Sequence, residues 1–150
     1  MLFRSFGSIP SGKKYHRNIP QEPAQQDARR MTVKRNVPMD AIYKTWHMTS
    51  RLDQQYYTTD LLTDILGGGA SSRLYQALVK EKQLFAHINC YHFGSLDRGL
   101  FTIEGQLVKG VDMKQAEDAI EEELTKVREH LIDDRELQKV KNKKIGRAHV

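Results

Sequence analysis

A run of three glycines, Gly67, Gly68 and Gly69, constrains the fold of this 150-residue chain more than any other feature of its sequence. Apolar residues recur at helical spacing over 54–66, before the run, and over 74–79, after it. Because glycine is a poor helix former, the run predicts a joint between two helices and not one continuous helix. Glycines at such a joint can close a turn, let another backbone approach closely, or bind a phosphate.

The residues after the glycines argue against a phosphate-binding loop. A Walker-type loop requires Lys and then Ser or Thr directly after its last glycine, whereas Gly69 is followed by Ala70, Ser71 and Ser72. A dinucleotide fingerprint requires a preceding strand and a third glycine, and Ser72 stands where that glycine belongs. What remains is a local turn in which the glycines adopt positive φ and Ser71 or Ser72 caps the second helix.

Apolar residues alternate in two other parts of the chain, as they do in strands with one buried face. Residues 31–37 and 41–48 predict two strands that meet at a turn near Pro38. Residues 86–91 and 101–107 predict two more strands, joined as a hairpin by the loop GSLDRG. In the third predicted strand, the alternate residues Ala86, Ile88 and Cys90 are apolar and are expected to face the core.

Two further helices carry clear N-terminal signals. Apolar residues recur in steps of three and four over 113–131, behind Asp112 as N-cap. Asp133 and Glu136 have the spacing of a capping box at the start of the next helix. The predicted order is strand, strand, helix, helix, and then the same again. Paired strands and paired helices favour an α+β fold, a two-layer sandwich with an antiparallel or mixed sheet and helices packed on one face.

Composition divides the chain into three parts. Residues 1–30 hold three of the four prolines and little apolar periodicity, so we interpret them as a proline-rich connector that follows another domain. Residues 31–144 are predicted to form one domain, truncated at its C-terminal end. The last six residues, IGRAHV, are what common sequencing-adapter DNA encodes, so 145–150 is interpreted as a non-native tail in which Gly146 interrupts the helix.

The net charge of +5, from 24 Lys and Arg against 19 Asp and Glu, permits contact with nucleic acid without requiring it. The run KVKNKK at 139–144 resembles a basic patch, but it follows an acidic helix, and a solvated helix end is the favoured interpretation. No stretch approaches the ~18 apolar residues of a membrane span. We expect a soluble protein with no nucleic-acid or membrane partner, and we favour the cytoplasm over the periplasm.

The ionisable side chains contain no recognisable metal-binding motif. None of the six histidines has the H-x-x-E-H or H-E-x-x-H spacing that brings ligands together on one helix. His87 and His92 have opposite strand parity and are expected on opposite faces of the sheet. Cys90, the only cysteine, is interpreted as a small core residue. We therefore predict no metal site and no catalytic residue in this chain.

Five spaced motifs carry a resemblance to a known family. They are IPSG, NIPQEP, DILGGGASSRLYQALVKEKQL, GLFTIEGQLVKGV and RELQKVKNK. Together they resemble the C-terminal half of the pitrilysin/insulinase family of zinc metallopeptidases, in its bacterial two-domain form, from about Ser5 to Lys144. The resemblance implies that an N-terminal half carries the H-x-x-E-H motif and a distal Glu, and that this chain closes with it around a peptide chamber.

The same resemblance implies the cofactor and the partners. Zinc is expected in the missing N-terminal half or in a partner subunit, and none in this chain. The partner is that half in cis or a homologous subunit in trans, and the substrate is a peptide. A second hypothesis makes the chain a noncatalytic peptide-binding or assembly subunit of the same fold. In either case an exposed strand edge could hold an extended peptide.

Substrate-binding residues are implied at two positions. Family members that complete the active site from this half use an Arg after the glycine turn and a Tyr seven positions later, where this chain has Lys80 and His87. Lys80 could donate to a substrate carbonyl as a point charge, and neutral His87 could donate one hydrogen bond. Alternatively, Lys80 only complements its helix end and His87 is a polar residue on a sheet face. A third possibility is that a partner subunit supplies the Arg and the Tyr.

Overall fold

The computed structural model describes residues 7–10, 12–14, 16, 18, 20 and 22–148, with side-chain environments up to Gly146. The chain separates into two compact units, 1–35 and 36–150. The described residues of the first unit have irregular backbone. All helices and strands of the described part lie in the second unit.

The predicted strand at 31–37 is wrong. Those residues have irregular backbone, and Met31, Val33 and Val37 are exposed. A strand requires a neighbour for its backbone hydrogen bonds, and no described strand pairs with 31–37. The alternation of apolar residues over 31–37 therefore does not produce a strand, because no described strand is available to pair with this segment.

Three antiparallel strands form the sheet: β1 (Ala41–Ser50), β2 (Phe85–Phe93) and β3 (Arg98–Leu107). β3 lies between the other two. The hairpin predicted from β2 to β3 is confirmed, and its loop occupies 94–97. The antiparallel sheet is one of the two arrangements that the sequence favoured.

An irregularity in the pairing of β2 with β3 changes which residues face the core. The register shifts between Phe85 and His87, so that Phe85 is buried and Ala86 is exposed. The prediction that Ala86 lies on the apolar side is therefore wrong, because a bulge redirects the side chains next to it. Cys90 is buried as predicted, and its burial raises the pKa of the thiol to about 12.

Helices complete the described fold: α1 (Gln55–Gly67), a π-helix (Tyr75–Glu81), α2 (Met113–Glu129) and α3 (Asp134–Ala148). Both predicted N-caps are confirmed, because Asp112 accepts from the Gln115 N–H and Asp133 accepts from the Glu136 N–H. The second half of the predicted capping box is replaced, since the Glu136 carboxylate pairs with Arg73. α2 ends earlier than the predicted 131, and Leu131 is 99% exposed. Among the described residues, no helix is both long and apolar enough to cross a bilayer.

Other details of the helices differ from the sequence predictions. The helix after the glycines is a π-helix, and the Lys82 N–H donates to the Ala77 carbonyl at its end. Ser72 does not cap this helix, because its hydroxyl donates to the Gly69 carbonyl. α3 continues through Gly146, since a glycine inside a helix costs about 1 kcal/mol but removes no backbone donor.

The helices pack on one face of the sheet, which confirms the α+β fold with two layers. The largest fully buried side chains come from both layers: Leu66, Leu74, Leu78, Phe85, Ile103, Leu107 and Ile120. Strand residues of the opposite parity form the second face of the sheet. We call it the open face; it comprises Tyr43, Thr45, His47, His87, Asn89, Tyr91, Phe93, Leu100, Thr102, Glu104 and Gln106.

Candidate functional site

The glycine joint, residues 67–69, lets the end of α1 pack directly on β2. A Cβ added to Gly67 would lie 2.1 Å from the Cys90 nitrogen and 2.4 Å from the Cys90 Cβ. Gly67 therefore permits the close approach of another backbone. Gly69 supplies the turn with a φ of +114°, but Gly68 has a φ of −74°. The expectation of positive φ throughout the run is wrong, because Gly67 and Gly68 are needed for space and not for turning.

Two lysines of α3 hold the same joint. Lys143 Nζ donates to Asp64 Oδ1 at 3.0 Å and also to the Gly68 carbonyl. Lys144 Nζ lies 2.6 Å from Asp60 Oδ1 and 2.8 Å from Asp64 Oδ2. Burial opposes ionisation of Asp64, but hydrogen bonds from both ammonium groups outweigh it and hold the pKa of Asp64 below its ordinary value. Lys143 and Lys144 thus bind the end of α1 through ion pairs, whereas the sequence favoured a solvated end for their helix.

The two residues implied as substrate-binding lie on either side of one short turn. Lys80 is in the last turn of the π-helix and His87 is near the start of β2, with Gln83 at a φ of 51° between them. Both side chains are exposed, and within the described part of the chain no hydrogen bond joins them. Lys80 Nζ lies 5.8 Å from the centre of the Tyr75 ring, within cation–π range.

The two histidines of β2 lie on opposite faces of the sheet, as predicted. His92 faces α1, with Nε2 3.0 Å from the Tyr56 hydroxyl and Nδ1 3.5 Å from Thr63 Oγ1. His87 lies on the open face, where it is paired in register with Gln106. Across the described ranges, no group of three or more His, Cys, Asp and Glu residues is arranged to hold a metal ion. The described side chains therefore do not fit zinc.

The open face carries a cluster that residue spacing in the sequence does not predict. The Tyr91 hydroxyl donates to Glu104 Oε2 at 3.0 Å, and the Tyr43 hydroxyl donates to Glu104 Oε1 at 3.4 Å. Burial and the neighbouring Glu104 carboxylate raise the pKa of Tyr91. Each residue comes from a different strand, so only the strand register brings them together. The signal in the sequence was that Tyr43, Tyr91 and Glu104 each occupy a strand position that alternates with the core-facing residues.

Comparison with known proteins identifies a family. A family model described as the peptidase M16 inactive domain matches residues 1–144. The uncharacterized zinc protease YmxG of Bacillus subtilis (strain 168) is 30% identical over 93 residues, which are 62% of this chain and 22% of YmxG. The chain therefore spans only a minor part of the length of this relative.

Solved structures share the fold. A protease from Helicobacter pylori matches with a TM-score of 0.72 at 21% identity, over 75% of this chain and 27% of that chain. The peptidase M16 inactive domain from Pseudomonas fluorescens matches with a TM-score of 0.59 at 23% identity, over 73% of this chain and 27% of that chain. Both matches concern the fold, and both structures are much longer than this chain.

Proposed function

Because the chain belongs to the peptidase M16 family and matches its inactive domain, we propose that it is the noncatalytic C-terminal half of a zinc metalloendopeptidase. In this proposal it closes a peptide chamber against an N-terminal half or partner subunit that supplies zinc and the catalytic Glu. The observation that carries the proposal is the inactive-domain match over 1–144. The relationship to YmxG, a zinc protease, supports a zinc-bearing partner.

Lys80 and His87 are the residues proposed to hold the substrate backbone. Each has an exposed side chain at the junction of the π-helix and β2, and peptide carbonyls accept hydrogen bonds from both groups. π-Helical turns are frequent at functional sites, which supports this junction as the place of contact. The bulge at Ala86 directs His87 to the open face. The two donors would therefore meet a peptide that runs beside the start of β2.

The edge of β2 is the proposed place for the substrate backbone. In the described part of the sheet β1 and β2 are the edge strands, since β3 lies between them. An extended peptide that adds to an edge gains backbone hydrogen bonds with little sequence preference. Lys80 lies just before β2 and His87 lies within it, so their location favours the β2 edge over the β1 edge.

The departure from Arg and Tyr at positions 80 and 87 supports one variant of the proposal. A lysine gives a single point charge where the guanidinium of Arg gives a planar pair of donors. If a homologous subunit supplies the Arg and the Tyr in trans, this chain serves as a peptide-binding or assembly subunit of the same fold. Mutation of the partner's own donors then abolishes cleavage, whereas changes at Lys80 and His87 have little effect.

Reconstitution tests the proposal. The chain is mixed with a zinc-bearing half of the same family from the same genome, and cleavage of a fluorogenic peptide set is followed. We expect each component alone to be nearly inactive and the mixture to cleave at least about tenfold faster, because substrate alignment lowers the barrier. Equal cleavage with and without the chain would contradict the proposed role.

A further inference from the structure

Glu104 lies at the centre of the open face and is the only carboxylate among the strand residues that form it. Its partners in register are Tyr43 in β1 and Asn89 in β2, and Tyr91 reaches it from the diagonal position. Within the described residues, no Lys, Arg or His forms an ion pair with Glu104. The basic side chains of the open face are His47 and His87, of which His87 lies two residues from Asn89 along β2. Arg98 lies roughly 20 Å from Glu104 along β3 by strand geometry.

The surroundings of Glu104 suit a cation. A carboxylate accepts about four hydrogen bonds, and the two tyrosine hydroxyls occupy only part of that capacity. Tyr43 is 63% exposed and its hydroxyl contacts the carboxylate, and aromatic ring faces attract ammonium and guanidinium groups. A carboxylate with two flanking phenol rings therefore offers charge, acceptors and ring faces to one positively charged group.

We propose that Glu104, with Tyr43 and Tyr91, binds the guanidinium or ammonium group of an Arg or Lys side chain of the peptide. The identity of this occupant rests on the proposed function, and its charge rests on the complementarity to Glu104. The path is short enough for such a side chain. A peptide added to the β2 edge lies two strand spacings from β3, roughly 10 Å, and places alternate side chains on the open face beside Asn89. From there a long side chain can lean across Asn89 to Glu104.

Long cationic side chains fit this path and other residue types do not. Short polar side chains stop above β2, and Asp or Glu would bring like charges together. An apolar side chain of similar length reaches Glu104 but leaves its acceptors without a new donor. The site therefore selects Arg and Lys at one position of an extended peptide, and Arg gains more because its donors can bind bidentately.

Peptide binding to the 150-residue chain tests the proposal. Fluorescein-labelled alanine-rich hexapeptides carry one central Arg, citrulline, Lys or norleucine, and affinity is measured by fluorescence anisotropy. We expect the Arg peptide to bind about tenfold more tightly than the citrulline peptide. Glu104→Gln reduces that ratio to about one. The control Asp118→Asn removes the same charge from α2, away from the open face, and leaves the affinity ratio unchanged.

A second variant separates loss of the site from loss of the fold. Tyr43→Leu alters an exposed side chain, so the fold is retained, and it lowers the Arg preference severalfold without affecting the citrulline peptide. Circular dichroism melts accompany each variant. Equal affinity for Arg and citrulline peptides, binding of no peptide, or a preference that survives Glu104→Gln overturns the proposal.

Reconstituted cleavage distinguishes this inference from the proposed function. If the chain stimulates cleavage but Arg and citrulline peptides are cleaved alike, the cation site is wrong and the chamber role stands. If the chain binds the Arg peptide selectively through Glu104 but stimulates no cleavage, the cation site stands and the chamber role is wrong.

Discussion

Gly67 at the end of α1 lies against Cys90 in β2 so closely that no Cβ fits between them. The contact fixes this end of α1 to the sheet, and Lys143 fixes it to α3. The π-helix that carries Lys80 begins a few residues after this point. The glycine joint therefore sets the position of the π-helix that carries a proposed substrate contact.

Replacement of Gly67 by Ala should destabilise the fold by about 1–3 kcal/mol, because the new methyl group overlaps the Cys90 backbone and forces α1 away from β2. Urea unfolding followed by circular dichroism measures the change. Gly146→Ala is the matched control, since nothing lies within 4 Å of the added Cβ and alanine is the better helix former. Equal stability of Gly67→Ala and wild type would show that the two backbones are not in contact.

Gly68→Val should also destabilise the fold by roughly 1–3 kcal/mol, but for a steric reason and not a torsional one. Gly68 has a φ of −74°, which other residues adopt freely, while its Cβ would lie 2.5 Å from the Asp64 carbonyl oxygen. Gly68→Ala should therefore lose a large part of the same stability. Thermal melts of both variants measure this, and a harmless Gly68→Ala would contradict the steric explanation.

The ion pairs of Asp64 with Lys143 and Lys144 should make part of the folding stability depend on pH. The folded pKa of Asp64 is held below the ordinary value of 3.8, so its contribution is complete above the unfolded pKa and is lost as pH falls through the folded pKa. Asp64→Asn should cost roughly 1–3 kcal/mol at pH 7, because two ammonium groups lose a buried partner. The difference from wild type should shrink below about pH 4.

Urea titrations at pH 7, 5 and 3 measure this dependence. Asp118→Asn serves as control, because it breaks an exposed pair with Lys114 that contributes little at any of these pH values. A difference between wild type and Asp64→Asn that stays constant from pH 7 to pH 3 would show that the ion pairs of Asp64 are not the source.

The double change Lys80→Ala, His87→Ala should lower kcat/KM of the reconstituted enzyme by about 10², equivalent to about 3 kcal/mol, if these groups align the substrate backbone. Stability should hardly change, since both side chains are exposed. Lys114→Ala with His130→Ala provides a control with the same residue types elsewhere. A loss below about threefold with the fold intact would remove both residues from the proposed site.

The sequence predicted those parts of the fold that depend on local signals. Asp112 and Asp133 begin their helices as expected, because a cap uses only residues three apart. The hairpin from β2 to β3 is local in the same sense. The strand predicted at 31–37 failed because pairing is not local, and Ala86 was misplaced because a bulge changes parity without any local signal.

The site depended still more on nonlocal contacts. Lys143 and Asp64 lie far apart in sequence, and so do Tyr43 and Glu104, so neither contact follows from residue spacing. The resemblance supplied Lys80 and His87, which pattern alone did not distinguish from other exposed polar residues. The close approach of Gly67 to Cys90 was one of several roles open to the glycine run, and the helix–sheet packing selects it.

Zinc content and cleavage by the chain alone test the central claim most directly. After dialysis against metal-free buffer, zinc is measured by atomic absorption, and cleavage of a fluorogenic peptide is recorded with and without added zinc. The described side chains provide no ligand set for the metal, so we predict well under one zinc per chain and no cleavage above background. One tightly held zinc per chain, together with cleavage that a chelator abolishes, would contradict the account.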